Sequence, residues 1–189
     1  MQQIVFVGAL TVFYIGISVL KHLREKNPIH IQYQIIKFLL IEYIFCVLAV
    51  TILPIYIHLG ESISWAGMTI QLIPFHFVKE YNRLIELDLF YLKIAIKNVL
   101  GNVVLFVPLG FLVPLIYKRF RNIKHILFIG AVCSAFIEVV QMAEMYLGFA
   151  FRMTDIDDVI LNCCGCVIGY FFCNKFIIHS KMECIMQRI

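Results

Sequence analysis

The chain has 189 residues and a net charge of +4, with 62% hydrophobic and only 15% charged side chains. Soluble domains are about half apolar. This composition, with a mean hydropathy of +0.91, therefore excludes a soluble globular protein and indicates an integral membrane protein. The length leaves room for a single domain, one helical bundle, because each membrane crossing needs about 20 residues. The basic residues form no face interleaved with aromatic side chains, so nucleic acid is not an expected partner.

Five stretches of the chain are long and apolar enough to cross a bilayer. In chain order they cover residues 4–20, 38–59, 98–117, 125–147 and 158–178. No positive residue precedes the first stretch and no small-x-small cleavage site follows it, so we interpret it as a retained helix. The predicted fold is all-α, a membrane bundle of about five transmembrane helices.

The distribution of Lys and Arg predicts the orientation of the bundle. Four Lys or Arg residues lie in the segment 21–37, four in 118–124 and three in 175–188. By contrast, acidic and basic residues are equal in number in the connection 60–97, and the connection 149–158 has a net negative charge. We therefore expect a multi-pass protein of the cell membrane with its N-terminus outside and its C-terminus in the cytoplasm. The 60–97 connection mixes charged and aromatic residues, which predicts short interfacial helices on the outer leaflet.

The start of the fifth stretch, "FRMTDIDDVILNCCG", places an arginine and three aspartates at the expected outer end of a membrane helix. At helical spacing, five residues fall on one face of this helix: Asp155, Asp158, Asn162, Gly165 and Gly169. The two glycines have the small-x-x-x-small pattern that predicts close approach of another helix. The acidic residues also fit a simpler interpretation, with Thr154 or Asp155 as an N-cap and carboxylates complementing the helix dipole.

The fourth stretch carries Ser134, Glu138 and Gln141 on one helical face. A carboxyl group at this depth costs about 2 to 3 kcal/mol even on the mildest insertion scales. Protonation, a cation such as Arg152, or a hydrated cavity would compensate for it. Ser134 and Gln141 alone are equally consistent with hydrogen bonds between helices.

The third stretch contributes polar groups at the same depth. Asn98 and Asn102 lie one turn apart with Gly101 beside them, and the deeper Pro108 and Gly110 predict a kink or ordinary helix packing. The outer ends of the last three helices therefore predict one polar pocket. Its candidate residues are Asn98, Asn102, Glu138, Gln141, Arg152, Asp155, Asp158 and Asn162.

Metal and redox chemistry have little support in the sequence. The six histidines are scattered, and no zinc site or nucleotide motif is present, although a divalent cation beneath the aspartates stays an open hypothesis. We interpret the seven cysteines, including the C-x-x-C of Cys163 and Cys166, as small apolar fillers. The oligomeric state is not predicted.

Three blocks of the sequence resemble the VanZ-like membrane proteins: "NVLGNVVLFVPLGFLVPL", "SAFIEVVQ" and "RMTDIDDVILNCCGCVIGY". The weaker "TILPI" and "QLIPF" precede them, with Gln71 where asparagine is expected, so the resemblance covers about residues 50–172. It implies low-level resistance to the lipoglycopeptide teicoplanin in Gram-positive bacteria, by a route that does not remodel the peptidoglycan precursor terminus. By position, it points to the same eight polar residues.

Two functions follow as hypotheses. In the first, Asn98, Asn102, Gln141, Arg152 and Asn162 bind a membrane lipid, a lipid-linked envelope molecule or a lipoglycopeptide without turnover. In the second, the protein is an enzyme acting on a lipid-linked substrate, with Glu138 as general acid and Asp155 or Asp158 as base or cation ligand. A transporter is disfavoured because the sequence has no internal repeat.

Overall fold

A computed structural model of the protein describes residues 2–25, 31–53, 70–78, 89–147 and 154–179. Five long helices make up most of this part of the chain: α1 (Gln2–Glu25), α2 (Ile31–Thr51), α3 (Leu89–Ile116), α4 (Ile123–Tyr146) and α5 (Ile156–His179). All five are long and apolar enough to cross a membrane. The prediction of an all-α, five-helix, multi-pass membrane protein is therefore confirmed, while its orientation stays a prediction.

The remaining described elements are short. Two strands of two residues each, β1 (Ile70–Gln71) and β2 (Thr154–Asp155), pair in parallel. A 3-10 turn, Lys118–Phe120, follows α3, and residues 76–78 form a helical turn. The strand pair attaches the 70–78 segment to the residues that precede α5.

Four helix ends lie five or more residues from the predicted boundaries. α1 ends at Glu25 rather than at residue 20, and α2 begins at Ile31 rather than at residue 38. α2 ends at Thr51 rather than at residue 59, because the proline at position 54 disfavours helical geometry in the residue before it and has no N–H to donate. α3 begins at Leu89 rather than at residue 98, so residues 89–97 continue a membrane helix instead of forming part of the interfacial connection. Residues 60–69 and 79–88, where the other interfacial helices were predicted, lie outside the described residues.

Glycines allow α3 and α5 to approach each other through their backbones. A Cβ added to Gly165 or Gly169 would lie 2.0 Å from a carbonyl oxygen of α3, and one added to Gly110 would lie 2.0 Å from the carbonyl oxygen of Cys166. No side chain tolerates such a distance, so this crossing requires glycine at these three positions. α3 continues through Pro108 as one helix, and the predicted kink stays a prediction.

An apolar core lies where α3, α4 and α5 meet. Phe106, Ile126 and Cys166 are its most deeply buried members. α2 packs on the same core and donates a hydrogen bond from the Tyr43 hydroxyl to the carbonyl oxygen of Leu105 at 2.9 Å. The core fixes α3, α4 and α5 against one another, and their polar residues extend from one end of it.

Candidate functional site

Six polar residues gather where α3 and α4 meet the N-terminal end of α5. We call them the polar cluster: Asn102, Ser134, Glu138, Asp155, Asp158 and Asn162. The Asn102 Nδ2 donates to Asp158 Oδ1, which joins α3 to α5. Glu138 Oε2 accepts the backbone N–H of Asp155 at 3.2 Å, which joins α4 to the start of α5. Separate hydrogen bonds therefore join α3 and α4 to the N-terminal end of α5.

The carboxyl groups of the cluster carry unfavourable electrostatics. Glu138 is only 7% exposed, and like-charge repulsion acts between it and Asp158, as it does between Asp158 and Asp155. Within the described part of the chain, no lysine or arginine pairs with Glu138 or Asp158. Arg152, the predicted cationic partner, lies outside the described residues.

Asn162 contributes an acceptor that the protein leaves unused. Its side chain is 3% exposed, and its Nδ2 donates to Ser134 Oγ at 2.7 Å. Its Oδ1 is shielded from solvent and has no hydrogen-bond partner among the described residues. A buried polar atom without a partner costs about 1 to 3 kcal/mol. The cluster as a whole therefore has more acceptors than donors.

Asp155 also has a local role in starting α5. Its Oδ1 accepts the backbone N–H of Asp157 at 2.9 Å. Asp155 precedes the first helical residue, Ile156, so this bond is an N-cap. Asp155 therefore acts as an N-cap, as the simpler interpretation of the sequence proposed, and it also belongs to the polar cluster.

Asp157 is a buried anchor that sequence reasoning did not select. It is 1% exposed, and its two carboxylate oxygens accept the backbone N–H groups of Phe75 at 2.5 Å and Phe77 at 3.0 Å. Phe75 has a φ of 61°, in the left-handed region that bulky residues rarely adopt. The carboxylate thus holds a strained turn of the 70–78 segment against the start of α5.

The 70–78 segment exposes apolar side chains beside the polar cluster. Leu72, Ile73 and Phe75 are each more than half exposed. Exposed apolar groups at the end of a membrane bundle suit the bilayer interface, where hydrocarbon rather than water covers them. The cluster therefore adjoins a surface suited to lipid.

Comparison with protein families gives one match, to a family described as VanZ/LLP1, over residues 40–178. The chain belongs to the VanZ-like family. The matched region contains the whole polar cluster and the 70–78 segment but excludes α1. Membership agrees with a multi-pass membrane protein. The curated proteins and the solved structures gave no match.

The remaining described candidate residues make no hydrogen bond to the polar cluster. Gln141 Nε2 donates to the backbone carbonyl oxygen of Thr51 at 3.2 Å, at the C-terminal end of α2. Asn98 is exposed and makes no hydrogen bond within the described residues. Gly101 is exposed, with open space around it. Gln141 thus satisfies a helix-end carbonyl group, which otherwise lacks an intrahelical donor.

Metal ligands and cysteines add little to this VanZ-like site. Among the described residues, no group of three or more His, Cys, Asp or Glu side chains is arranged to hold a metal ion. The described cysteines are all free thiols. Cys166 and Cys173 are completely buried in the apolar interior, where a cysteine packs as a small hydrophobic side chain.

Proposed function

We propose that this VanZ-like protein binds the polar head of a lipoglycopeptide or a lipid-linked envelope molecule at the polar cluster, and thereby contributes to low-level teicoplanin resistance. The observation that carries the proposal is the excess of acceptors. Asn162 Oδ1 is buried with no hydrogen-bond partner among the described residues, and no described lysine or arginine pairs with the carboxyl group of Glu138 or of Asp158. A ligand that supplies hydroxyl, amide or ammonium donors would satisfy all three groups at once.

The surroundings of the cluster favour a ligand that also carries an apolar tail. All cluster residues except Asp155 belong to helices that can cross a membrane, and the adjoining 70–78 segment exposes Leu72, Ile73 and Phe75. A molecule that combines a sugar or peptide head with a hydrocarbon chain would bond to the cluster while its chain stays in the bilayer. Lipoglycopeptides and lipid-linked envelope precursors share this combination.

An enzyme that modifies a lipid-linked substrate is the second candidate. The supporting feature is that the carboxyl groups of Glu138 and Asp158 are close enough to interact electrostatically, since acid/base catalysis uses two neighbouring carboxyl groups in different surroundings. Glu138 would donate a proton to the leaving group of the substrate, and Asp158 would accept a proton from the attacking water or hydroxyl group, because the Asp155 carboxylate already caps α5. Binding without turnover requires fewer groups and ranks first. Mass spectrometry of envelope lipids incubated with the purified protein separates the two, since only an enzyme changes their mass.

Susceptibility of a teicoplanin-sensitive Gram-positive host tests the proposal. Wild-type protein is expected to protect against teicoplanin more than against vancomycin. Glu138→Gln and Asp158→Asn each remove a charge and keep the shape, so we expect ligand binding to weaken by about tenfold or more and protection to fall to the empty-vector level.

Gln141→Met is the matched control for these variants. It removes an amide from the same helix whose partner is the Thr51 carbonyl oxygen rather than the cluster, so protection should persist at equal membrane abundance. If Glu138→Gln and Asp158→Asn protect as well as wild type, the cluster is not the ligand site. If wild type gives no protection, the resistance role does not extend to this chain.

A further inference from the structure

A recess lies at the end of the bundle opposite the polar cluster, between the start of α2 and the turn that follows α3. It has a volume of about 320 Å³. Its walls are formed by Tyr33, Leu115, Ile116, Tyr117, Lys118, Arg119 and Arg121. We call it the basic groove. None of these residues belongs to the polar cluster, so the basic groove is a separate candidate site.

Positive charge dominates the basic groove. Its described walls include three cations and no carboxylate, and the chain contains no acidic residue from position 89 to 137. A fourth cation, Lys37, has its Nζ 4.6 Å from the centroid of the Tyr33 ring. Lys118 and Arg119 are exposed, and no carboxylate of the described residues pairs with either of them. Lys118 and Arg119 therefore present positive charge to an anion, and no described carboxylate compensates it.

Hydrogen bonds hold the basic side of the groove in place. Arg121 Nε donates to the carbonyl oxygen of Pro114 at 3.3 Å, and the Tyr170 hydroxyl donates to the carbonyl oxygen of Arg121 at 3.0 Å. The backbone N–H of Arg121 also donates to the carbonyl oxygen of Lys118 at 3.2 Å. These bonds fix the turn to α3 and α5, so an anion that binds here pays little to order the site.

The chemistry of the groove specifies an anion attached to hydrocarbon. Leu115 and Ile116 line it beside the cations, and the apolar span of α3 ends at Ile116, so the groove lies at a bilayer boundary. We infer that it binds the phosphate head group of an anionic phospholipid from the leaflet at this end of the bundle. Arg and Lys bind the phosphate, the tyrosine hydroxyls donate to its ester oxygens, and the acyl chains lie against the apolar wall.

Native mass spectrometry of the purified full-length protein in non-ionic detergent tests this site. The probes are phosphatidylglycerol, phosphatidylcholine and glycerol phosphate, which separate an anionic lipid from a zwitterionic lipid and from a soluble phosphate. Wild type should bind phosphatidylglycerol at least about tenfold more tightly than either of the others. Lys118→Gln should weaken phosphatidylglycerol binding about fivefold, which is the effect of one cation near an anionic lipid.

Lys124→Gln is the matched control, because Lys124 lies in the first turn of α4, close in sequence to Lys118, is exposed and does not line the groove. Its effect should stay below about twofold. Equal weakening by Lys118→Gln and Lys124→Gln would overturn the inference in favour of diffuse attraction to the basic connection. Glycerol phosphate binding as tightly as phosphatidylglycerol would also overturn it, because the groove would then be a site for a soluble anion.

Discussion

Adding one methyl group at Gly165 or Gly169 is expected to destabilise the helix bundle by about 3 kcal/mol or more. The new Cβ would lie 2.0 Å from a carbonyl oxygen of α3, and a helix backbone cannot move aside as a flexible side chain does. α3 and α5 would have to separate along their whole contact. Because this crossing brings Asn102 to Asp158, the same change should also break the hydrogen bond between them.

Gly101→Ala is the matched control for the glycine crossing. A Cβ at position 101 meets nothing within 4 Å, and alanine has a higher helix propensity than glycine by about 1 kcal/mol. This variant should therefore be as stable as wild type or slightly more stable. The measurement is the midpoint of thermal unfolding in one detergent for Gly165→Ala, Gly169→Ala and Gly101→Ala. Equal midpoints for the three variants would contradict the backbone contact between α3 and α5.

The five membrane helices could be predicted from the sequence because a span needs only length and apolar composition, which are local properties. The ends of these helices could not all be predicted, as two of them show. Apolar residues continue past Thr51, so hydropathy alone gives no sign that α2 stops before the proline at position 54. In α3, Lys93 and Lys97 lower the hydropathy of the first turns although no residue there breaks the helix. Hydropathy measures burial in lipid, whereas helix ends depend on backbone geometry.

The candidate site could likewise be predicted only in part. Helical spacing placed Asp155, Asp158 and Asn162 on one stripe, because the spacing of residues within one helix follows directly from their positions in the sequence. The hydrogen-bond partners of a polar side chain do not follow from the sequence in this way. Gln141 matches the spacing of the cluster but bonds to the carbonyl oxygen of Thr51, 90 positions away. Backbone donors and acceptors are present at almost every residue, so no residue type marks which of them a side chain will meet.

Asp157 is the clearest case, and its removal gives the second large predicted effect. Its carboxylate bonds to two backbone N–H groups 80 and 82 positions away. In Asp157→Asn one oxygen becomes an NH₂ group that faces an N–H donor in a site only 1% exposed. Loss of one charge-assisted bond and an unsatisfied donor should weaken the attachment of the 70–78 segment by about 2 to 4 kcal/mol. Hydrogen exchange of the Phe75 and Phe77 amides should then accelerate by about 30-fold or more.

Asp158→Asn is the control for this exchange measurement, because the partner of Asp158 is Asn102 rather than the 70–78 segment. It should leave exchange at Phe75 and Phe77 unchanged, and equal acceleration in both variants would contradict the anchoring role of Asp157. Teicoplanin protection by Asp157→Asn then separates two forms of the proposed site. Protection that is lost together with the attachment means that the segment helps to hold the ligand. Protection that survives means that the polar cluster binds the ligand without it, since the hydrogen bonds of Glu138, Asp158 and Asn162 do not involve Asp157.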